Sequence, residues 1–382
     1  MSPKAPPAEG PLRVVMANFH EDWGGQAAYV LTLARALRDA GHRLWVICPA
    51  DSQLSRRAGQ AGIPTFTSCR LRRGLRPFEF WREVRAFAAF LREVEADVVH
   101  THGPPECWRA ALACRMFRLR CRHVRTKHNS YRVAAHPANL WLYRRGIDRL
   151  VVVAGALKPL LAGLLPPERI DVLHAPVADR FLATADGGPF RAELGISPET
   201  PLIGAVGRLA ADKGQADILK ALKLIRTQHP ETMAVFVGEG RELRRLETLA
   251  TELGVTNRVR FLGARQDVPA ITAALDVSVL ASTGCDASST VVKEALAAGV
   301  PMVATEVGGI REIIEDGATG RIVPPGDPAR LAEAISATLS DRARARSMAA
   351  AGREAMKERF SETAAATAQA AIYRRVLQGS TP

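Results

Sequence analysis

The chain has 382 residues, 52 Lys and Arg against 39 Asp and Glu, with 47% hydrophobic and 24% charged residues. That length exceeds what one core ordinarily fills, so two domains are expected, and the composition excludes a disordered or membrane-embedded chain. No run approaches the roughly 18–20 apolar residues of a membrane-spanning helix, and the N-terminal MSPKAPPAEG lacks the apolar segment of an export signal.

The charge is placed unevenly. Residues 1–180 hold 28 basic and 15 acidic residues, a net +13, whereas residues 181–382 hold 24 of each. A one-sided positive field attracts polyanions without specifying which, so the first half is expected to face something anionic. The six cysteines, Cys48, Cys69, Cys107, Cys114, Cys121 and Cys285, form no CxxC pair and read as reduced residues, not as a disulfide framework or a zinc site.

Along the chain, short β-branched runs alternate with longer amphipathic stretches. Strands are expected at 12–17, 43–49, 97–102, 122–127 and 149–154, and again at 202–207, 233–238, 259–263, 277–282 and 302–306, with helices such as 27–40 between them. This alternation predicts an α/β fold with a parallel sheet in each half. After the first strand, Gly24-Gly25 precedes a helix, so bare backbone N–H groups and the positive end of the helix dipole could face an anion. Taken alone, the same pair also suits a tight turn. Between residues 70 and 92, Phe80, Trp81, Val84, Phe87, Phe90 and Leu91 fall at helical spacing beside Arg82, Arg85 and Arg92. Such a stripe serves either a core-packing helix with a solvated basic face or a helix lying on lipid headgroups.

The polar, Gly- and Pro-bearing stretch 183–200 is the expected hinge, giving an N-terminal domain over 1–182 and a C-terminal domain over 183–360. The segment 361–382 contains a last helix, roughly 363–377, with no strand after it, which could pack back onto the first domain. In the second half, the strand at 202–207 leads to Arg208, then Lys213-Gly214 and a helix from about residue 215. Two cations at the mouth of a sheet could clamp a diphosphate and stabilise it as it departs. The densest constellation lies in 282–314, where Asp286 and Glu294 flank a loop-to-helix junction. Ser288 or Ser289 is the expected N-cap, leaving N–H groups for a phosphate, and the Glu294 carboxylate could accept hydrogen bonds from two ribose hydroxyls.

The ordered motifs VGRLAADKG, FVGEGRELRRLETLATELG, VRFLG and the 286–294 segment running on into EALAAGVPMVATEVGGIREII resemble family 4 of the retaining glycosyltransferases. The likeness is close over 202–335 and looser over 12–182, through GGQAAYVLTLARALRDAGH, ADVVHTH and VRTKHN. It implies the GT-B fold, two Rossmann-like domains with parallel sheets facing across a central cleft. It also implies roles: Arg208 and Lys213 on the donor diphosphate, Gly25 where backbone approaches it, and Glu294 on the ribose; Gly24, Ser288 and Ser289 are expected at the donor from their places at helix starts. His102 matches the family histidine near the transferred sugar and the reacting centre, and Asp286 stands where the first carboxylate meets the sugar hydroxyls. In the family, the leaving phosphate is thought to take the acceptor's proton on the donor's front face, so no metal and no cofactor is expected. The substrate would be a nucleotide sugar, a UDP-sugar favoured over a GDP-sugar.

The family's association with acceptors in the N-terminal domain, together with the basic first half, leads to an expected membrane-associated glycan or lipid acceptor. That places the protein in the cytoplasm, peripheral at the inner face of the cell membrane, in lipopolysaccharide or other cell-surface polysaccharide synthesis, with no nucleic acid as partner. Two departures stand out. Asp286-Ala-Ser-Ser replaces the family's usual Glu-Gly-Phe-Gly, and Ala175-Pro176 replaces the common Asn-Gly after the strand ending at His174. The alternatives are a sugar-nucleotide epimerase of the same fold and, from another class, a basic nucleic-acid-binding protein, for which no recognisable module is present.

Overall fold

The computed structural model describes residues 10–72, 74, 76–284 and 286–379. Its strands are β1 (Arg13–Ala17), β2 (Arg43–Ile47), β3 (Thr65–Phe66), β4 (Val98–Thr101), β5 (Arg122–Lys127), β6 (Arg149–Val152), β7 (Ile170–Val172), β8 (Leu202–Val206), β9 (Met233–Val237), β10 (Val259–Phe261), β11 (Val277–Leu280), β12 (Met302–Thr305) and β13 (Arg321–Val323). They form a seven-stranded sheet in the order β3-β2-β1-β4-β5-β6-β7 and a six-stranded sheet in the order β10-β9-β8-β11-β12-β13, with all neighbours parallel. The fold is α/β and of GT-B type. Each β-branched run buries both of its faces, as a strand covered by crossover helices must. Ile203, Ala234, Phe236 and Val279 pack into one apolar cluster, whereas Leu202, Val235 and Val237, one residue out of phase, pack into another on the opposite face.

Strand order decides where a site can lie. In each sheet the chain builds outward on one side of its first strand and then returns to that strand's other edge, so the loops after β1 and β4, and those after β8 and β11, splay to opposite faces. The crevice at the carboxyl ends of such strands is where open parallel sheets bind ligands.

The chain divides into two compact units. One holds the described residues up to Pro176 together with those from Glu362 onward; the other is Val177–Ser361. The crossing falls earlier than 182 because Val177 and Phe181 are buried in the second unit with Leu280, Val292, Met356 and Phe360. The stretch 183–200, expected as a hinge, is ordered inside that unit. Phe190 and Ile196 are buried there, and Arg191 donates to the Asp276 carboxylate at 2.7 Å and to the Thr200 carbonyl at 2.9 Å. Its polarity reflects a solvated surface anchored by two apolar residues. The last helix, Glu362–Leu377, packs against the helix Gly25–Asp39 in the first unit. Alanines 365, 366 and 370 let it approach closely, and the hydroxyl of buried Tyr373 lies 2.6 Å from Nδ1 of His100. Cys48, Cys69, Cys107, Cys114 and Cys121 are buried free thiols; Cys285 lies outside the described residues.

The stripe between residues 70 and 92 forms the helix Pro77–Glu93, and its interior is core: Val84 and Phe87 are fully buried, with Phe90 and Leu91 nearly so. Only the first turns stay open, with Phe78 85% and Trp81 42% exposed. The same helix buries Glu83, which pairs with buried Arg109 and accepts the backbone N–H groups of Arg70 at 2.7 Å and Leu71 at 3.3 Å. Removing one partner of a buried pair strands the other charge, at a cost of about 3–5 kcal/mol. Glu83→Ala is therefore expected to lower the unfolding free energy measured in urea by that order, and Glu83→Ala with Arg109→Met to recover part of the loss. Equal stability of Glu83→Ala and wild type would refute the pair's structural role.

Candidate functional site

In the first unit the candidate residues lie at the carboxyl ends of β1 and β4. Gly24 is the N-cap of helix Gly25–Asp39 with φ −158°, extended backbone and not a tight turn. A Cβ at Gly24 or Gly25 would meet nothing within 4 Å, so both leave open space over the start of a helix with no side-chain cap and no acidic residue in its first turn. Four histidines cluster behind β4 and β5. His100 is satisfied by Tyr373 and by the Thr126 hydroxyl at 2.7 Å, and His123 by Thr101 at 2.9 Å and the Gly146 carbonyl at 3.0 Å. His102 differs. Its Nδ1 lies 3.0 Å from Nε2 of His128, while its own Nε2 is buried without a partner. Burial pushes His100 and His102 far below the ordinary imidazole range, and His128 down to about 3. His102 is thus neutral at physiological pH, able to share one hydrogen bond at Nε2 but not to carry charge.

His102 and His128 line a cavity of about 1130 Å³ that lies wholly in the first unit and also takes in Trp108, Tyr131, Arg125 and Lys127. None of those last four is singled out by sequence pattern, because what gathers them is the approach of β5 and the loop after it to the helix Pro104–Met116 that follows β4.

In the second unit the loops after β8 and β11 are locked together through backbone. Gly214 has φ +66°, and a Cβ there would stand 1.8 Å from the Ala281 carbonyl oxygen, so only glycine lets the Lys213 turn pass under the end of β11. The Asp212 carbonyl accepts the N–H groups of Thr283 at 3.0 Å and Gly284 at 3.3 Å. Gly308, with φ +54°, lies so close that a Cβ would be 2.1 Å from the Asp286 carbonyl oxygen, which also accepts the N–H of Gly309 at 3.2 Å. These clamps bring Lys213 and Asp286 together, with Nζ 3.1 Å from the carboxylate and both side chains largely buried.

Arg208 is placed apart from that pair. Its side chain is 66% exposed and its contact is Asp212 at 3.8 Å, leaving the guanidinium able to swing toward a ligand. Ser289 is the N-cap residue of helix Thr290–Ala297, but its side chain makes no capping bond. Ser288 does not cap either: its hydroxyl accepts a hydrogen bond from Lys293 at 2.9 Å. The expected side-chain cap is therefore absent, because buried Lys293 claims one hydroxyl and the other is turned inward. Lys293, which sequence pattern did not single out, is pulled down to about 7 by complete burial. Glu294 beside it is pushed up to about 7, also by burial, against the opposing pull of Arg180 and Lys293.

A carboxyl raised in this way holds its proton in the folded state to a pH where the unfolded chain has already released it. The associated stability is complete below about 4.5, the ordinary glutamate value, and is lost as pH rises through about 7. Glu294→Gln is expected to gain melting temperature relative to wild type at pH 8 compared with pH 5, by roughly 2–4 °C per kcal/mol. An unchanged difference between the two proteins at both pH values would contradict the assignment.

Comparison with known proteins places both halves. Residues 23–180 match the family described as Glycosyltransferase Family 4, and residues 188–355 match Glycosyl transferases group 1. The chain is 28% identical to the N-acetyl-alpha-D-glucosaminyl L-malate synthase of Bacillus anthracis, over 74% of this chain and 75% of that protein. It is 32% identical to the lipopolysaccharide core biosynthesis glycosyltransferase LpsE of Rhizobium meliloti, over 46% of this chain and 50% of that protein. The crystal structure of Anabaena Alr3699/HepE in complex with UDP superposes with a TM-score of 0.80 at 23% identity, over 94% of this chain and 99% of the other, a likeness of fold. With one matched family on each unit and the switch-point geometry common to both sheets, the chain belongs to the family 4 glycosyltransferases.

Proposed function

We propose that the protein transfers a sugar from a nucleotide-sugar donor, UDP-linked in preference to GDP-linked, to a membrane-associated glycan or lipid acceptor, with retention at the anomeric carbon. The observation that carries this reading is the Lys213–Asp286 pair at the switch point of the second sheet, beside a helix N-terminus that no side chain caps. Lys213 and the exposed guanidinium of Arg208 supply positive charge where a departing diphosphate gathers negative charge, and the N–H groups at Thr290 add to it. Asp286 aligns Lys213 and reaches the sugar hydroxyls, and Glu294 takes the ribose diol. The UDP held by the Anabaena protein supports the choice of uridine.

On the first unit, His102 offers a neutral Nε2 to a sugar hydroxyl, and the open backbone at Gly24 and Gly25 leaves room for phosphate. The acceptor hydroxyl attacks the anomeric carbon on the face from which phosphate leaves, and its proton passes to the departing phosphate oxygen. The basic first half, with Phe78 and Trp81 exposed at the start of its helix, supports a peripheral position on an anionic membrane at its cytoplasmic face. Among the described residues no helix is long and apolar enough to cross a membrane. The relative named for lipopolysaccharide core biosynthesis supports a role in lipopolysaccharide or related cell-surface glycan assembly.

Measured as nucleotide release in the presence of acceptor, Lys213→Ala and Glu294→Ala are each expected to lower kcat/KM by about 100-fold or more with the fold intact, and Arg208→Ala to act in the same direction. Full activity in all three would remove the donor-site assignment. Asp286→Glu is expected to change the preferred sugar more than nucleotide affinity, as read from competition between nucleotide sugars.

A further inference from the structure

The cavity of the first unit holds more positive charge than its surroundings neutralise. Arg72, Arg109, Arg125, Lys127 and Arg132 line it, and no Asp or Glu does so among the described residues. Arg109 is spoken for by Glu83. Arg125 and Lys127 are not. Arg125 is 8% exposed, its guanidinium sits 5.0 Å from the Tyr143 ring centroid and within reach of the neutral Cys107 thiol and Tyr143 hydroxyl, and its Nε has no hydrogen-bond partner. Lys127 is 5% exposed and donates only to neutral oxygens, Oδ1 of Asn129 at 2.9 Å and the Tyr131 carbonyl at 2.7 Å, leaving its third N–H uncommitted. Both project from β5, where alternate side chains face the same way, so residues 125 and 127 share a face.

Buried cations without carboxylate partners are costly unless something supplies the missing charge. Glu106 lies within electrostatic reach of Arg125, but burial pushes that carboxyl up to about 7 and no ion pair joins them. Apolar aromatic surface completes the lining: Trp108, which stacks on Trp141 at 5.9 Å, and Phe80. An anion-binding face next to an aromatic one matches a sugar ring bearing an ionised substituent.

We propose that this cavity receives an acceptor sugar carrying a phosphate or carboxylate group, held by Arg125 and Lys127, with the ring against Trp108 and its reactive hydroxyl toward His102. This rests on the reading that the first unit receives the acceptor; it adds the chemical class. It also separates two uses of basic charge in that unit. Exposed arginines serve a surface field, while Arg125 and Lys127 act one ligand at a time.

The test is a thermal-shift and calorimetric titration of the full-length protein with glucose 6-phosphate, glucuronate and neutral glucose. Binding of glucose 6-phosphate or glucuronate, with glucose at least about tenfold weaker, is expected; whichever anionic probe binds tells phosphate from carboxylate. Lys127→Gln and Arg125→Gln should weaken the anionic probe by about tenfold or more. Lys127→Arg should keep it, and Lys213→Ala, altered in the other unit, should leave it unchanged. Circular dichroism checks the fold of each variant, and Lys127→Gln answers alone if Arg125→Gln does not fold. Absence of binding by both anionic probes, equal binding of glucose, or undiminished binding in Lys127→Gln would overturn the proposal. If nucleotides bind and the anionic sugars do not, only this inference fails. If no nucleotide binds but anionic sugars bind through Lys127, the donor reading fails and the anionic-sugar site stands.

Discussion

Everything in this protein hangs on the order in which parallel strands are laid down. A right-twisted parallel sheet must be crossed by right-handed connections, and when the chain builds first on one side of its starting strand and then on the other, the two sets of connections cover opposite faces. The loops at that reversal leave the sheet toward opposite faces, which opens a crevice at the strand ends. In this chain the reversal occurs at β1 and β4 and again at β8 and β11. Gly24, Gly25 and His102 sit at the first; Arg208, Lys213 and Asp286 sit at the second. These positions are set by topology before any side chain is chosen.

Side chains then tune what topology exposes. In the second unit this is done by close backbone contact, since Gly214 and Gly308 admit carbonyl oxygens to distances that a Cβ would forbid and so fix Lys213 on Asp286. In the first unit it is done by burial. Desolvation holds His102 neutral, while Arg125 and Lys127 are buried without carboxylate partners, the burial pulling Lys127 down to about 8, so the cavity is uncharged beside His102 and basic along β5. The last helix belongs to the same unit, and its Tyr373 braces His100.

Nine strands of four to six residues, and the three-residue β10, were readable because period and composition agree within each. β3, β7 and β13, two or three residues long, carry too little pattern to announce themselves and are set by pairing with a neighbour already in place. Polarity at 183–200 suggested a hinge because Phe190 and Ile196 are only two anchors in a solvated stretch. Among the candidate residues, Lys213, Asp286 and His102 stand out in the sequence through their place after strands and within ordered motifs. Lys293, Arg125 and Lys127 were not, since a basic residue in sequence says nothing about whether a carboxylate will meet it. The serine pair at 288–289 misled for a related reason: capping depends on where Lys293 lies, five residues beyond Ser288 and buried.

The most direct measurement is the melting temperature of the full-length protein across a panel of nucleoside diphosphates, with Lys213→Ala alongside. A ligand that binds only the folded state at a hundredfold excess over its dissociation constant stabilises it by about 2.7 kcal/mol. A donor site built around Lys213 and Asp286 predicts a clear rise with UDP, a smaller one with GDP, and loss of both in Lys213→Ala. No rise with any nucleotide, or an equal rise in the variant, would contradict it.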